Sequence, residues 1–309
     1  MLEPAVIVLR LLQYAGAMIL FGSSLFMLYA LPRSGAGSGA DMTWSRRLLA
    51  WAAGDVLAAS LFGLLAQTCI LAGSISEGMT ASSLSAVITT MSMGPSTLIR
   101  AGAAGLALVV LAVRRPDRLT WGLCAGLGAV VSASFAWMGH GAATAGVPGL
   151  LHLAADILHG LAAGVWIGAL AVFLLRLLQP ADDSERDRVL HRTLHGFSGV
   201  GSALVATLVV TGLVNSWFLV GPTRLAGLWT TPYGQLLSLK LALFAVMLAL
   251  AAANRFRLTP DLGAALDGGG SRAPELGALR RSLLIETALS LGVLGLVAWL
   301  GTLAPVSAQ

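Results

Sequence analysis

Residues 150–175 form the apolar segment LLHLAADILHGLAAGVWIGALAVFLL, whose only ionisable side chains are His152, Asp156 and His159. A helix of about 20 residues is enough to cross a hydrocarbon core about 30 Å thick. A strand of a membrane barrel would instead show about ten residues of alternating polarity, and this segment lacks that alternation. The segment therefore predicts a membrane-spanning α-helix.

Seven further apolar segments of similar character lie on either side of this one. Apolar residues make up 57% of the 309-residue chain and charged residues only 11%, whereas soluble domains carry roughly 25% charged residues. A soluble protein is thereby excluded, and we predict an all-α, polytopic membrane bundle in one domain, residues 1–309. The eight predicted spans are approximately 5–31, 48–73, 96–113, 119–139, 150–175, 199–220, 235–253 and 282–303.

Basic residues are distributed unevenly between the loops that join these spans. Cytoplasmic loops of membrane proteins are enriched in Lys and Arg, so the positions of these residues predict the orientation. Alternate loops hold fifteen of the 19 basic residues, whereas the opposite loops hold only Arg224. We therefore predict that both termini are extracytoplasmic, and we expect no nucleic-acid partner. The fifteen are Arg33, Arg46, Arg47, Arg114, Arg115, Arg118, Arg176, Arg186, Arg188, Arg192, Arg255, Arg257, Arg272, Arg280 and Arg281.

Three of the loops allow more specific expectations. The loop at 74–95 lies outside, and its stretch from Met79 to Met93 predicts a short interfacial helix. The loop at 140–149 also lies outside, in the short hairpin between spans four and five. The loop at 254–281 lies inside, and its run of three glycines after Asp267 predicts a flexible cytoplasmic segment.

Ionisable residues within the spans gather around the fourth and fifth spans. His140 ends span four, and span five then carries His152, Asp156 and His159. On a helix these last three fall within about 60° of arc, with ends about 10 Å apart, so they form one stripe. Because an ionisable side chain inside a membrane is costly, each one is a candidate functional residue. We expect the stripe to hold an ion in two steps, with His140 completing its outer pair of ligands.

The chemistry of these side chains indicates which ion they would hold. Imidazole nitrogen and carboxylate oxygen suit copper(II) or zinc, while thioether sulfur suits copper(I). Met91 and Met93, on the same outer side, are therefore candidate accessory ligands. The alternatives are interhelical hydrogen bonds for the histidines and ordinary packing for the methionines.

Other polar residues in or near the spans leave alternatives open. Arg10, Arg100 and Lys240 lie near outer span ends, where long side chains can extend to the membrane surface. If they point inward instead, they favour an anionic ligand such as a haem, whose axial ligands would be histidines. For the remaining polar residues we favour ion pairs with arginine for Asp55 and Glu286, and a solvated loop for His191 and His195.

An ordered series of short motifs resembles the CopD copper-resistance membrane protein family. Any one motif is weak, but their order is fairly specific, and the comparable eight-span layout extends the resemblance over nearly the whole chain. The motifs are Gly139-His140, His159-Gly-Leu-Ala-Ala-Gly-Val-Trp166-Ile-Gly168, Phe197-Ser198, Thr211-Gly212-Leu-Val-Asn215-Ser-Trp217, Thr231-Pro-Tyr233-Gly234 with Lys240, and Asn254-Arg255.

The resemblance implies a multi-pass protein of the bacterial inner membrane that moves copper from the periplasm towards the cytoplasm. It places the family's motif histidines at His140 and His159, and it implies a separate periplasmic carrier of the CopC type, since no fused carrier domain is evident. Two other functions stay open, a haem b redox protein and a ligand-free assembly partner. No motif indicates an enzyme. The family's other matching positions are Trp166, Asn215, Tyr233 and Lys240.

Overall fold

The computed structural model describes residues 2–30, 43–139, 146–178, 184–268 and 272–308. Within these ranges it is helical without strands, and eight helices are long and apolar enough to cross a membrane, which confirms the predicted fold class. The helices are α1 (Glu3–Ala30), α2 (Thr43–Ala72), α3 (Ile75–Gly78), α4 (Ala81–Thr90), α5 (Met93–Val113), α6 (Arg118–Ala133), α7 (Gly146–Leu178), α8 (Ser184–Leu219), α9 (Gly227–Thr230), α10 (Pro232–Ala253), α11 (Thr259–Asp267) and α12 (Ala273–Leu300).

Helix α1 is the central element of the bundle. It packs against α2, α6, α7 and α12, and α7 in turn packs against α8 and α12. Small residues allow α1 and α7 to approach closely, because a Cβ atom added to Gly22 would lie 1.9 Å from the carbonyl oxygen of Gly164. At the same crossing the Ser23 hydroxyl donates to the carbonyl oxygen of Gly168 over 3.1 Å. Helix α7, which carries the predicted stripe, is thereby held against the centre of the bundle.

Between the spans, the structure confirms one prediction made from the sequence and contradicts another. Helix α4 confirms the short helix expected between Met79 and Met93. On the opposite side, α10 continues through a π-helical turn at Asn254–Leu258 into α11. The predicted loop is therefore helical up to Asp267, and Gly269 and Gly270, on which the prediction of flexibility rests, lie outside the described residues. Burial of Leu262, fully shielded from solvent, gives α11 an apolar anchor in the core of the bundle.

The hairpin between α5 and α6 is closed by a capping interaction. Asp117 precedes α6, and its carboxylate accepts the backbone N–H of Thr120 over 2.7 Å. This bond holds the pKa of Asp117 below its usual value, and the nearby Arg114 guanidinium acts in the same direction. Asp117 thus satisfies one of the free N–H groups at the start of α6.

Candidate functional site

The stripe predicted on α7 faces α8. The His152 side chain is buried, and its ring stacks on Phe218 with centroids 4.6 Å apart and planes 8° from parallel. One turn further along, the Asn215 side-chain amide donates to the Asp156 carboxylate over 3.5 Å. The common face expected from the helical period is therefore confirmed, and the stripe lies in the contact between two membrane-spanning helices.

His159 ends the stripe, and its hydrogen bonds define which ring nitrogen is available. Its Nδ1 lies 2.9 Å from the Thr211 hydroxyl oxygen. That hydroxyl already donates its proton to the carbonyl oxygen of Thr207 over 2.6 Å, so Nδ1–H of His159 donates to Thr211. In the neutral ring the lone pair is then on Nε2. A neutral histidine whose Nδ1–H is fixed by a neighbour carries its lone pair on Nε2, and this is the form that binds a metal ion.

Two residues of α10 face the same region. Lys240 is partly buried, and its charge lies within electrostatic range of Asp156. Tyr233 is buried and lies within reach of the same carboxylate charge. The side-chain oxygen of Asn215 is buried without a hydrogen-bond donor among the described residues. A carboxylate, an imidazole and an unpartnered amide oxygen thus line the N-terminal half of α7 and the C-terminal end of α8.

Other predicted ligands are not brought to this stripe. Within the part of the chain that the structure describes, no three His, Cys, Asp or Glu side chains converge as a metal site. His140 lies outside the described residues. Met91 is exposed, while Met93 lines a separate pocket between α1, α2 and α5 together with Met138. The methionines therefore do not extend the His–Asp stripe.

Trp166 belongs to a second polar cluster, further towards the other end of α7. Its Nε1–H donates to one carboxylate oxygen of Glu286 over 2.9 Å, and the Asn254 amide donates to the other oxygen over 2.9 Å. The expected pairing of Glu286 with an arginine is wrong, because both donors are neutral. Sequence reasoning noted these three residues separately. Asn254 directly follows span seven and Glu286 lies near the start of span eight, so both are close to the same predicted membrane face, and this is the signal that could have joined them.

The remaining polar residues also differ from expectation. Arg100 is completely buried rather than extended to the surface, and it donates to the Gln13 side-chain oxygen over 2.8 Å and to the Ser134 hydroxyl over 3.0 Å. His191 and His195 lie on helix α8 rather than in a loop, with ring centroids 6.2 Å apart. Asp55 lies against Gly16 and makes no ion pair among the described residues.

Comparison with known proteins gives consistent matches along the chain. Residues 191–300 match the family described as Copper resistance protein D, and residues 1–150 match the N-terminal domain of the Copper resistance protein D-like family. Copper resistance protein D of Pseudomonas syringae pv. tomato is 37% identical over 306 residues, covering 98% of this chain and 97% of that protein.

Two further relatives match over shorter stretches. Inner membrane protein YebZ of Escherichia coli (strain K12) is 30% identical over 130 residues, 41% of this chain and 42% of that protein. Copper transport protein CutJ of Bacillus subtilis (strain 168) is 33% identical over 105 residues, 34% of this chain and 18% of that protein. No solved structure matches the chain. The match to the Pseudomonas protein over nearly its full length shows that the chain belongs to the copper resistance protein D family.

Proposed function

We propose that this chain binds copper in the outer half of its bundle and passes the ion towards the cytoplasm, as a protein of the bacterial inner membrane. The observation that carries the proposal is His159, whose Nδ1–H donates to Thr211, so that the lone pair that a metal ion would use is on Nε2. Asp156 lies about one turn further out on the same face. The copper-handling names of the relatives support copper as the ion.

The stripe suggests a sequence of two binding steps. His140, His152 and Asp156 receive copper(II), for which imidazole and carboxylate groups are suitable ligands. His159 takes the ion next, deeper in the membrane. The stack on Phe218 orients the ring of His152. Met91 and Met93 lie away from this stripe, and as accessory donors they would hold copper only before it reaches the stripe and only as copper(I), because thioether sulfur prefers the reduced ion.

Lys240 gives the proposed site a way to respond to an ion. The positive charge of Lys240 favours the ionised form of Asp156. A copper ion bound at Asp156 would repel the ammonium group of Lys240, which lies on α10. Tyr233 lies on the same helix, and Asn215 donates to Asp156 from α8. These residues, with Trp166 supporting the far end of α7, link occupancy of the site to the positions of its neighbouring helices.

The same proposal implies a partner and a source of energy. A separate periplasmic carrier of the CopC type would deliver copper to the outer end of the bundle. No nucleotide-binding motif is present in the sequence, so we assign no enzymatic activity and no use of ATP. The membrane potential is sufficient as a drive, since it contributes about 2.3 kcal/mol per charge per 100 mV, directed inward for a cation.

Replacement of His159 by Ala tests the site. We expect copper affinity of the purified protein to fall roughly tenfold or more, because even the loss of a group that only orients a ligand has that effect. Copper accumulation by cells should fall with it. Metal analysis after equilibrium dialysis measures the first quantity. His191→Ala and His195→Ala are the matched controls on the opposite side of the bundle, and both should retain copper.

A second variant separates ligation from packing. Thr211→Val preserves the shape of residue 211 but removes the acceptor for Nδ1–H of His159, so copper affinity should fall roughly 10- to 100-fold while the protein stays folded. Unchanged copper binding in His159→Ala would overturn the proposed site. A Soret band in the visible spectrum of the purified protein would instead identify haem b as the ligand.

A further inference from the structure

Glu286 is the centre of the second polar cluster, which the proposed copper path does not use. Its side chain is 2% exposed, in the middle of α12. Trp166 of α7 and Asn254, at the end of α10, each donate one N–H to a different carboxylate oxygen. Three membrane-spanning helices therefore meet at one carboxyl group, which these two neutral donors hold in a fixed position.

No cation compensates this carboxyl group within the described ranges. An ionised carboxylate without a counter-charge is expensive inside a membrane. The charged residues of the elements packed against α12 are directed elsewhere. Arg255 donates to Ser198 and Ser202, and the charge of Lys240 acts on Asp156. Arg10 lies against Gly301, and Arg176 lies over the ring of Trp44. The remaining charged side chains near α12 are exposed, namely Arg257, Asp261, Arg280 and Arg281.

The side-chain oxygen of Asn254, beside Glu286, accepts no hydrogen bond within the described part of the chain, and this indicates that a proton neutralises the Glu286 carboxylate. The side-chain oxygen of Asn254 is buried and has no donor among the described residues. If Glu286 is protonated, its O–H can donate to that oxygen once the amide rotates, and the acceptor is then satisfied. A metal ion fits less well, because no three His, Cys, Asp or Glu side chains converge among the described residues. A proton requires only the groups already present.

The cluster also lies at a structural joint. Asn254 is the first residue of the π-helical turn through which α10 continues into α11. Such turns are frequent at functional sites, since one extra residue breaks the regular bonding of the helix. The hydrogen bond between Glu286 and Asn254 is therefore made at the joint between these two helices.

We propose that Glu286 is an exchangeable proton site in this bundle. In the protonated form its O–H donates to the side-chain oxygen of Asn254. On deprotonation the O–H bond breaks, the proton passes to water, and the carboxylate accepts the N–H groups of Trp166 and Asn254 as the structure shows them. The site goes beyond the proposed copper function, because it binds a proton whether or not copper is present.

Infrared difference spectroscopy of the purified, copper-free, full-length protein tests this site. Wild type should show the carbonyl stretch of a protonated carboxyl group near neutral pH, and the band should disappear as the pH is raised. Glu286→Gln should lack this band. Asp55→Asn, which removes a carboxyl group in another helix, should retain it. Trp166→Phe should shift its frequency, because one N–H donor is lost, and this variant keeps the test available if Glu286→Gln does not fold.

Two results would overturn the proposal. If no band at any pH depends on Glu286, the carboxylate is permanently ionised. If the band persists until the protein unfolds at high pH, the group is permanently neutral and only structural. Because these spectra are recorded without copper, either result leaves the copper proposal intact. Failure of the His159 experiment would likewise leave the proton site untouched.

Discussion

Arg100 shows how the bundle accommodates a buried cation without a carboxylate partner among the described residues. Its guanidinium donates to Gln13 and Ser134 and lies 3.9 Å above the centroid of the Phe135 ring. Gln13 in turn donates to the carbonyl oxygen of Ala59 over 2.9 Å. A planar group with several donors can satisfy these partners together, whereas an ammonium group cannot. The residue therefore joins α1 to α5 and the end of α6 through shape as well as charge.

Arg100→Lys should consequently destabilise the protein although it keeps the positive charge. Lysine cannot reach Gln13 and Ser134 at once or cover Phe135 in the same way, and hydrogen bonds to charged groups contribute about 1.5–3 kcal/mol each. We expect a loss of about that size in the free energy of unfolding, measured by thermal or denaturant unfolding in detergent. Arg188→Lys, at an exposed position of α8, is the control. Equal stability of the two variants would contradict this role for Arg100.

The close crossing of helices α1 and α7 depends on glycine residues, which have no side chain to separate the two backbones. A Cβ atom added to Gly168 would lie 2.2 Å from a backbone carbon of Gly22, which no small shift of a side chain can relieve. Gly160, on the same helix, has no atom within 4 Å of an added Cβ. The two glycines of α7 therefore differ in their surroundings although both lie in the interior of one helix.

Alanine at these two glycines should give opposite results. Gly168→Ala forces α1 and α7 apart, and such overpacking typically destabilises by about 1–3 kcal/mol. Gly160→Ala adds a methyl group in open space and should be neutral or stabilising, since Ala is favoured over Gly inside helices by about 1 kcal/mol. Melting temperatures in detergent measure both effects. The close crossing would be refuted by a Gly168→Ala protein as stable as Gly160→Ala.

The helices also show how far the sequence could predict the candidate site. The helical period placed His152, Asp156 and His159 on one face, and their contacts with α8 confirm that face. Their role as copper ligands stays a prediction. The partners could not be predicted, because Thr211 lies 52 positions from His159 and Glu286 lies 120 positions from Trp166. Local periodicity does not relate residues so distant in the chain.

For the whole molecule, the number and the order of the spans followed directly from composition, because each span is a continuous apolar segment long enough to cross a bilayer. The orientation is predicted from charge instead, since fifteen of the 19 basic residues fall in alternate loops between the eight predicted spans. Arg10 lies against Gly301, so the first and last spans begin and end at the same face of the bundle. The direction of the proposed copper path depends on which membrane face this is.

Cysteine labelling decides that direction. Cys69 and Cys124 are buried, and replacing both by Ala removes background reactivity. In this background Val147→Cys should react with a membrane-impermeant thiol reagent in intact cells, because residue 147 is exposed at the start of α7, on the predicted outer side. Arg188→Cys, exposed near the start of α8, should react only after the membrane is opened. The reverse pattern would place His152 and Asp156 near the cytoplasm, and copper would then enter the stripe from inside the cell and leave outward.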